Sequence, residues 1–144
     1  DDHDDGCTLL DCTLREAITG TNTLAGVQTV TFALGLAGTI VISSALGSLP
    51  AIADDLFLVG PGRDVIAVSG DDAVRVLEIV SNVVSISDLT LTGGNADADS
   101  NGGGGLLVAF GADVTGGRRL RRKAAACCKH HACDERNRER RDWK

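Results

Sequence analysis

From residue 27 onward, apolar and polar positions alternate in short runs. Gln28-Thr29-Val30-Thr31-Phe32-Ala33, Thr39-Ile40-Val41-Ile42, Leu56-Phe57-Leu58-Val59, Val65-Ile66-Ala67-Val68, residues 74–80, residues 83–86 and Leu89-Thr90-Leu91-Thr92 are rich in β-branched side chains, and Gly, Asp, Asn or Pro bounds each run. Alternation puts successive side chains on opposite faces of a strand, so each run predicts a short strand with one apolar face. Between Gly20 and Gly117 no segment holds a helical period long enough to compete. The body is expected to be all-β.

The turns bear on how these strands connect. Antiparallel strands are commonly joined by two-residue turns such as Asn-Gly, yet Asn101-Gly102 opens a glycine run and joins nothing. Asp55-Leu56-Phe57-Leu58-Val59-Gly60 and Asp88-Leu89-Thr90-Leu91-Thr92-Gly93 share Asp-Leu-x-Leu-x-Gly and lie 33 positions apart. Irregular turns with a recurring unit suit a parallel solenoid better than a sandwich.

The opening follows a different rule. Thr13-Leu14-Arg15-Glu16 fits a capping box, in which the threonine hydroxyl and the glutamate carboxylate satisfy each other's backbone N–H groups. Leu14, Ala17 and Ile18 then share one face of a short helix, with Gly20 offering a left-handed stop. That geometry makes Arg15 and Glu16 structural rather than catalytic. Cys7 and Cys12 lie five positions apart in an acidic stretch, a spacing compatible with a disulfide or with two free thiols. It is not the spacing of a zinc site.

Charge divides the chain in two. The 144 residues carry a net charge of -6, but residues 118–144 hold 11 basic and 4 acidic side chains against 3 and 16 in residues 1–117. All 18 glycines lie at or before Gly117. Arg15, Arg63 and Arg75 are the only cations of the body, too few for the basic patch that nucleic acid needs. No run approaches the ~20 apolar residues of a membrane-spanning helix. Aromatics are 3% of the chain, so the core must be aliphatic.

Cys7 and the run Cys12-Thr13-Leu14-Arg15-Glu16-Ala17-Ile18 resemble a bacterial family, the CSLREA type, named for Cys-Ser-Leu-Arg-Glu-Ala; Thr13 stands in place of the serine. The similarity continues through Thr29-Val30-Thr31-Phe32, Leu36-Ala37-Gly38-Thr39-Ile40, Val59-Gly60-Pro61-Gly62, Val68-Ser69-Gly70 and Leu89-Thr90-Leu91-Thr92-Gly93-Gly94, covering about residues 4–115. The resemblance implies a right-handed parallel β-helix, pectate-lyase-like, in a secreted or surface-attached protein. Its short helix would cap the N-terminal end of the core. A helix clamped by a Cys7–Cys12 disulfide suits that task, because the end of such a stack exposes apolar side chains and unpaired strand edges. The strand that the family places ahead of the acidic segment is missing, and Asp1 opens the chain without an initiator Met or signal peptide. The chain is therefore expected to be a fragment, with a cap in 1–26, coils in 27–117 and a basic Arg/Cys/His tail in 118–144.

Few constellations could carry chemistry. Asp97-Ala98-Asp99-Ser100-Asn101-Gly102 matches the first half of a calcium loop, but the closing glutamate is replaced by Val108. Asp97, Asp99 and Asn101 remain weak calcium candidates beside the acidic opening of Asp1, Asp2, Asp4 and Asp5, and no other cofactor is expected. A polysaccharide lyase needs a strong base with a cation to acidify the sugar proton, and a glycosidase needs two opposed carboxylates. The body has no Lys, Tyr or Trp, and Asp54-Asp55 and Asp71-Asp72 sit beside turns, where Asp is common anyway. The expected role is a non-catalytic exported or cell-surface module: scaffold, adhesin-like or glycan-contacting. Its partners would be cell-surface glycans or envelope components. The alternative is the N-terminal part of a β-helix polysaccharide lyase or hydrolase whose active site lies outside this chain.

After Gly117 glycine vanishes and Arg118-Arg119-Leu120-Arg121-Arg122-Lys123 begins a tail in which no strands are expected. As an evolved feature it would be a basic arm for nucleic acid or anionic lipid, or a Cys/His metal tract; Cys127, Cys128, His130, His131 and Cys133 lack the spacing of a zinc module. An abrupt Arg/Ala/Cys-rich boundary is also what a frameshift in GC-rich DNA produces, so 118–144 is expected to be disordered or out of frame. A solenoid cut there would lack a C-terminal cap and would self-associate through that open end.

Overall fold

A computed structural model of the chain describes residues 7–8, 11–80, 83–96, 102–109, 112–116, 121–122 and 127–128. One helix, α1 (Leu14–Thr21), leads into β1 (Gln28–Thr31), β2 (Gly38–Val41), β3 (Leu56–Val59), β4 (Ile66–Ser69), β5 (Leu77–Ile79), β6 (Val83–Ser87), β7 (Thr90–Thr92), β8 (Leu106–Val108), β9 (Asp113–Gly116), β10 (Arg121–Arg122) and β11 (Cys127–Cys128). Every pairing between them is parallel. The sheets run β1-β3-β6-β9, β10-β7-β4-β2 and β11-β8-β5. The chain thus visits one sheet after another and returns to the first. On the first circuit Ile52, bridged in parallel to Ile79, stands in for a strand of the third sheet.

Register explains the core. Gln28 lies beside Leu56 and Leu56 beside Val84, so a circuit on this side takes 28 residues. Column by column, Val30, Leu58 and Ile86 line up in the first sheet and Ile40, Val68 and Leu91 in the second. Ile52, Ile79 and Val108 form the column of the third. Leu58, Val68, Ile79, Ile86 and Ile52 are fully buried, and each such side chain stabilises the fold by about 1.5–3 kcal/mol. The alternate positions carry mostly small or hydroxyl side chains, as in Thr39-Ala67-Thr90, although Phe57 stands exposed between Thr29 and Ser85. The alternation read from the sequence is therefore an inside–outside alternation. Mostly strand, with one short helix, the fold is all-β with parallel sheets.

Four details differ from the sequence reading. The two Asp-Leu-x-Leu-x-Gly segments do not stack: the first is β3 of one sheet, and the second enters β7 of another. What they share is a strand running into a glycine corner, which recurs in more than one sheet. Gly20 does not stop α1, which continues to Thr21 and is capped by Asn22 with right-handed backbone angles. β8 and β9 extend the strand set beyond the expected runs. Finally, β10 and β11 fall within 118–144, where no strands were expected, and place Arg122 beside Leu91 and Cys128 beside Val108.

Candidate functional site

The clearest built feature is the N-terminal lid. The Thr13 hydroxyl accepts from the Glu16 N–H at 3.2 Å, while the Thr13 N–H donates to Glu16 Oε2 at 2.8 Å, so both arms of the capping box are in place. Leu14 and Ile18 press on the core end. Cys7 and Cys12 lie at disulfide distance, with Cα atoms 4.3 Å apart. Between them the Thr8 hydroxyl accepts from the Asp11 N–H at 3.0 Å, closing the loop on itself.

Two side chains tie this lid to the first circuit. Arg15 is buried and donates through Nη1 to the Ser48 carbonyl at 2.8 Å and through Nη2 to the Gly47 carbonyl at 2.7 Å. Its burial pushes the guanidinium below its ordinary pKa by desolvation. Asn22 acts as a substitute strand: Nδ2 donates to the Ala51 carbonyl at 2.8 Å, and Oδ1 accepts from the Ala53 N–H at 2.9 Å. Those two groups flank Ile52, so one side-chain amide covers the edge of the third sheet. Asn22→Ala removes both bonds and is expected to lower stability by about 1–2 kcal/mol, read as an earlier thermal transition by circular dichroism. An unchanged transition would mean that the lid is not held there.

The lid leaves a groove of about 490 Å³ beside the first circuit, where Leu14, Ala17, Val30, Phe32, Leu36 and Ile40 meet a polar rim that includes Thr8, Asp11 and Thr13. A second depression, about 380 Å³, lies on the outer face of the second sheet between Arg63, Asp64, Thr39, Thr90 and Thr92. Arg63 is half-exposed there, paired with Asp64 at 3.2 Å, and its carbonyl accepts from the Thr90 hydroxyl at 2.7 Å. The third body arginine is buried. Arg75 donates to the Gly103 and Gly102 carbonyls at 3.3 and 3.2 Å and pairs with Glu78 at 2.9 Å.

The paired acids take turn roles. Asp54 Oδ1 accepts from the Asp55 N–H at 2.8 Å, and Asp55 Oδ1 accepts from the Val83 N–H at 2.8 Å, fastening one circuit to the next. Asp71 and Asp72 both occupy left-handed backbone, φ 53°, where Asp is better tolerated than most residues. Asp97, Asp99 and Asn101 lie outside the described residues, as do Asp1, Asp2, Asp4 and Asp5. Gly102, which ends the half calcium loop, has its carbonyl engaged by a guanidinium. Among the described residues no group of three or more metal-ligating side chains converges. Nor is any helix among them long and apolar enough to cross a membrane.

Sequence reasoning identified Thr13, Glu16 and the cysteine pair but missed Asn22 and Arg75. The only signals available were an Asn just after the helix and a lone Arg within an apolar run. Comparison with known protein families, with curated proteins and with solved structures gives no match.

Proposed function

We propose that the chain is a non-catalytic module of an exported or cell-surface protein, a right-handed parallel β-helix of the CSLREA type that serves as a scaffold presenting its outer sheet faces to glycans or envelope components. The observation that carries this reading is the three-sheet circuit, with aliphatic columns inside and mostly Thr, Ser and Ala outside, interrupted by exposed Val41, Phe57 and Val83. A disulfide-distance cysteine pair supports an oxidising compartment. Arg15 and Arg75, two of the three body arginines, hold backbone carbonyls, and the acid pairs hold turns. Those engagements favour a structural use of the charged groups over lyase or glycosidase chemistry.

The test is direct. Incubated with polygalacturonate and with a neutral glucan, the full chain should release neither unsaturated uronate nor new reducing ends, while being retarded in gels that contain the glycan it contacts. Turnover of either polymer would overturn the reading. Its loss in Arg63→Ala would place the chemistry at the depression on the second sheet.

A further inference from the structure

The first circuit stands apart in charge. Between Glu16 and Asp54 the sequence has no Asp, Glu, Lys or Arg, although residues 1–117 as a whole are strongly acidic. This stretch also holds six of the ten exposed large hydrophobic side chains among the described residues: Leu24, Val27, Leu34, Leu36, Val41 and Leu46. Leu34 is fully exposed, on a turn closed by the Leu36 N–H donating to the Ala33 carbonyl at 3.1 Å. An apolar concentration of this kind marks a contact surface.

The strand edges point the same way. β1 and β2 are the terminal strands of their sheets. The Gly38 and Ile42 N–H groups donate toward β4, to Val65 and Ser69, at 2.8 Å each. By strand alternation Thr39 and Val41 turn their backbone N–H and C=O to the outer edge, and both residues are exposed. The lid covers the third sheet at Ala51 and Ala53, and among the described residues no strand pairs with the outer edge of β2. No Lys, Pro or charged side chain, the residues that commonly blunt an edge, interrupts Gly38–Val41.

We propose that this end is a self-association face: β2 pairs antiparallel with β2 of a second copy across a two-fold axis, with the apolar turn at residues 32–37 flanking the seam. Charge selects a second copy as the occupant. Two strongly acidic bodies repel each other least across a surface without charge, and residues 17–53 supply one. A basic or acidic partner would find no counter-charge here. Inside the chain both edges of β4 are paired, by β2 and by β7, whereas β2 is paired on its β4 side alone among the described residues. A two-fold contact uses one patch twice and closes at two chains. The inference goes beyond the proposed function and does not depend on it.

Light scattering on the full chain, with free thiols blocked by N-ethylmaleimide, should give the mass of two chains. The double variant Leu34→Lys/Val41→Lys should give half that mass with an unchanged far-ultraviolet circular dichroism spectrum and a melting transition that no longer depends on concentration. Exchange of the Thr39 and Val41 amides should slow as wild-type concentration rises. A single-chain mass at every concentration, a mass above two chains, or a double variant that stays dimeric would each overturn the proposal. So would a wild-type monomer that sediments with uncharged phosphatidylcholine vesicles, which would assign the face to lipid. Should the double variant fail to fold, Leu34→Lys alone decides, because that side chain makes no packing contact to lose.

Discussion

Gly60→Ala is expected to remove about 3 kcal/mol of stability, the upper part of the range for overpacking a tight site. Gly60 follows β3 at a corner where one circuit rests on the next. Its N–H donates to the Ser87 carbonyl at 2.9 Å, and two residues on the Gly62 N–H donates to Asp88 at 2.9 Å. A Cβ on Gly60 would run into the carbonyl oxygen and carbon of Asp88 and would lie 2.8 Å from Leu89 Cβ. None of these atoms can be moved by a rotamer change. Asp88 is fixed in left-handed backbone at φ 54°, and Leu89 is fully buried. The two circuits must therefore separate locally, and the melting temperature should fall by about 10–12 °C for a domain of this size. Gly20→Ala supplies the opposite control. A Cβ at Gly20 meets nothing within 4 Å, and alanine in a helix interior is favoured over glycine by up to ~1 kcal/mol, so that variant should melt slightly later. If both variants melt with the wild type, the corner contact does not exist as described.

This contrast also shows where the sequence was legible and where it was not. Alternation located β1 through β7 to within a few residues, because a strand with one buried face imposes its period directly on the residues. The capping box at Thr13 and Glu16 was legible for a similar reason: both partners sit within three positions. The circuit length was not. Asp-Leu-x-Leu-x-Gly reports a strand ending in a tight corner, and β3 and β7 both end that way while belonging to different sheets. Only pairing across circuits, Leu56 with Val84 and Ala67 with Thr90, fixes which strand lies on which.

The lid anchors were hidden by sequence distance. Asn22 meets Ala51 and Ala53 about thirty positions on, and no local rule links a helix-terminal Asn to a distant bridge residue. The tail carries a different lesson. Arg122 stands in register with Leu91, Val68 and Ile40, a column that is apolar in every earlier circuit. The compositional break at Gly117 therefore coincides with a break in the column pattern. β10 and β11 nevertheless pair in parallel with β7 and β8 across that point.

Arg75→Met should be nearly as damaging as the glycine substitution, at about 2–3 kcal/mol, and for a different reason. Removing one member of a buried ion pair costs about 3–5 kcal/mol, discounted here because the Glu78 side chain is 33% exposed and solvent screens part of its charge. Arg75 itself is 4% exposed and reaches from one circuit to the Gly102 and Gly103 carbonyls of the next. Methionine matches much of its volume but supplies no donor to either carbonyl and no counter-charge to Glu78. Arg75→Lys separates charge from geometry. A single ammonium keeps the ion pair but cannot span both carbonyls as the guanidinium fork does, so lysine should recover less than half of the loss. The same contact bears on calcium. A cation already engages the Gly102 carbonyl at the end of Asp97–Gly102, and a dication beside it would be repelled. Millimolar calcium is accordingly expected to leave the wild-type melting transition where it is. A clear rise with calcium, or an Arg75→Met protein that melts with the wild type, would show that the arginine does not hold the glycine loop.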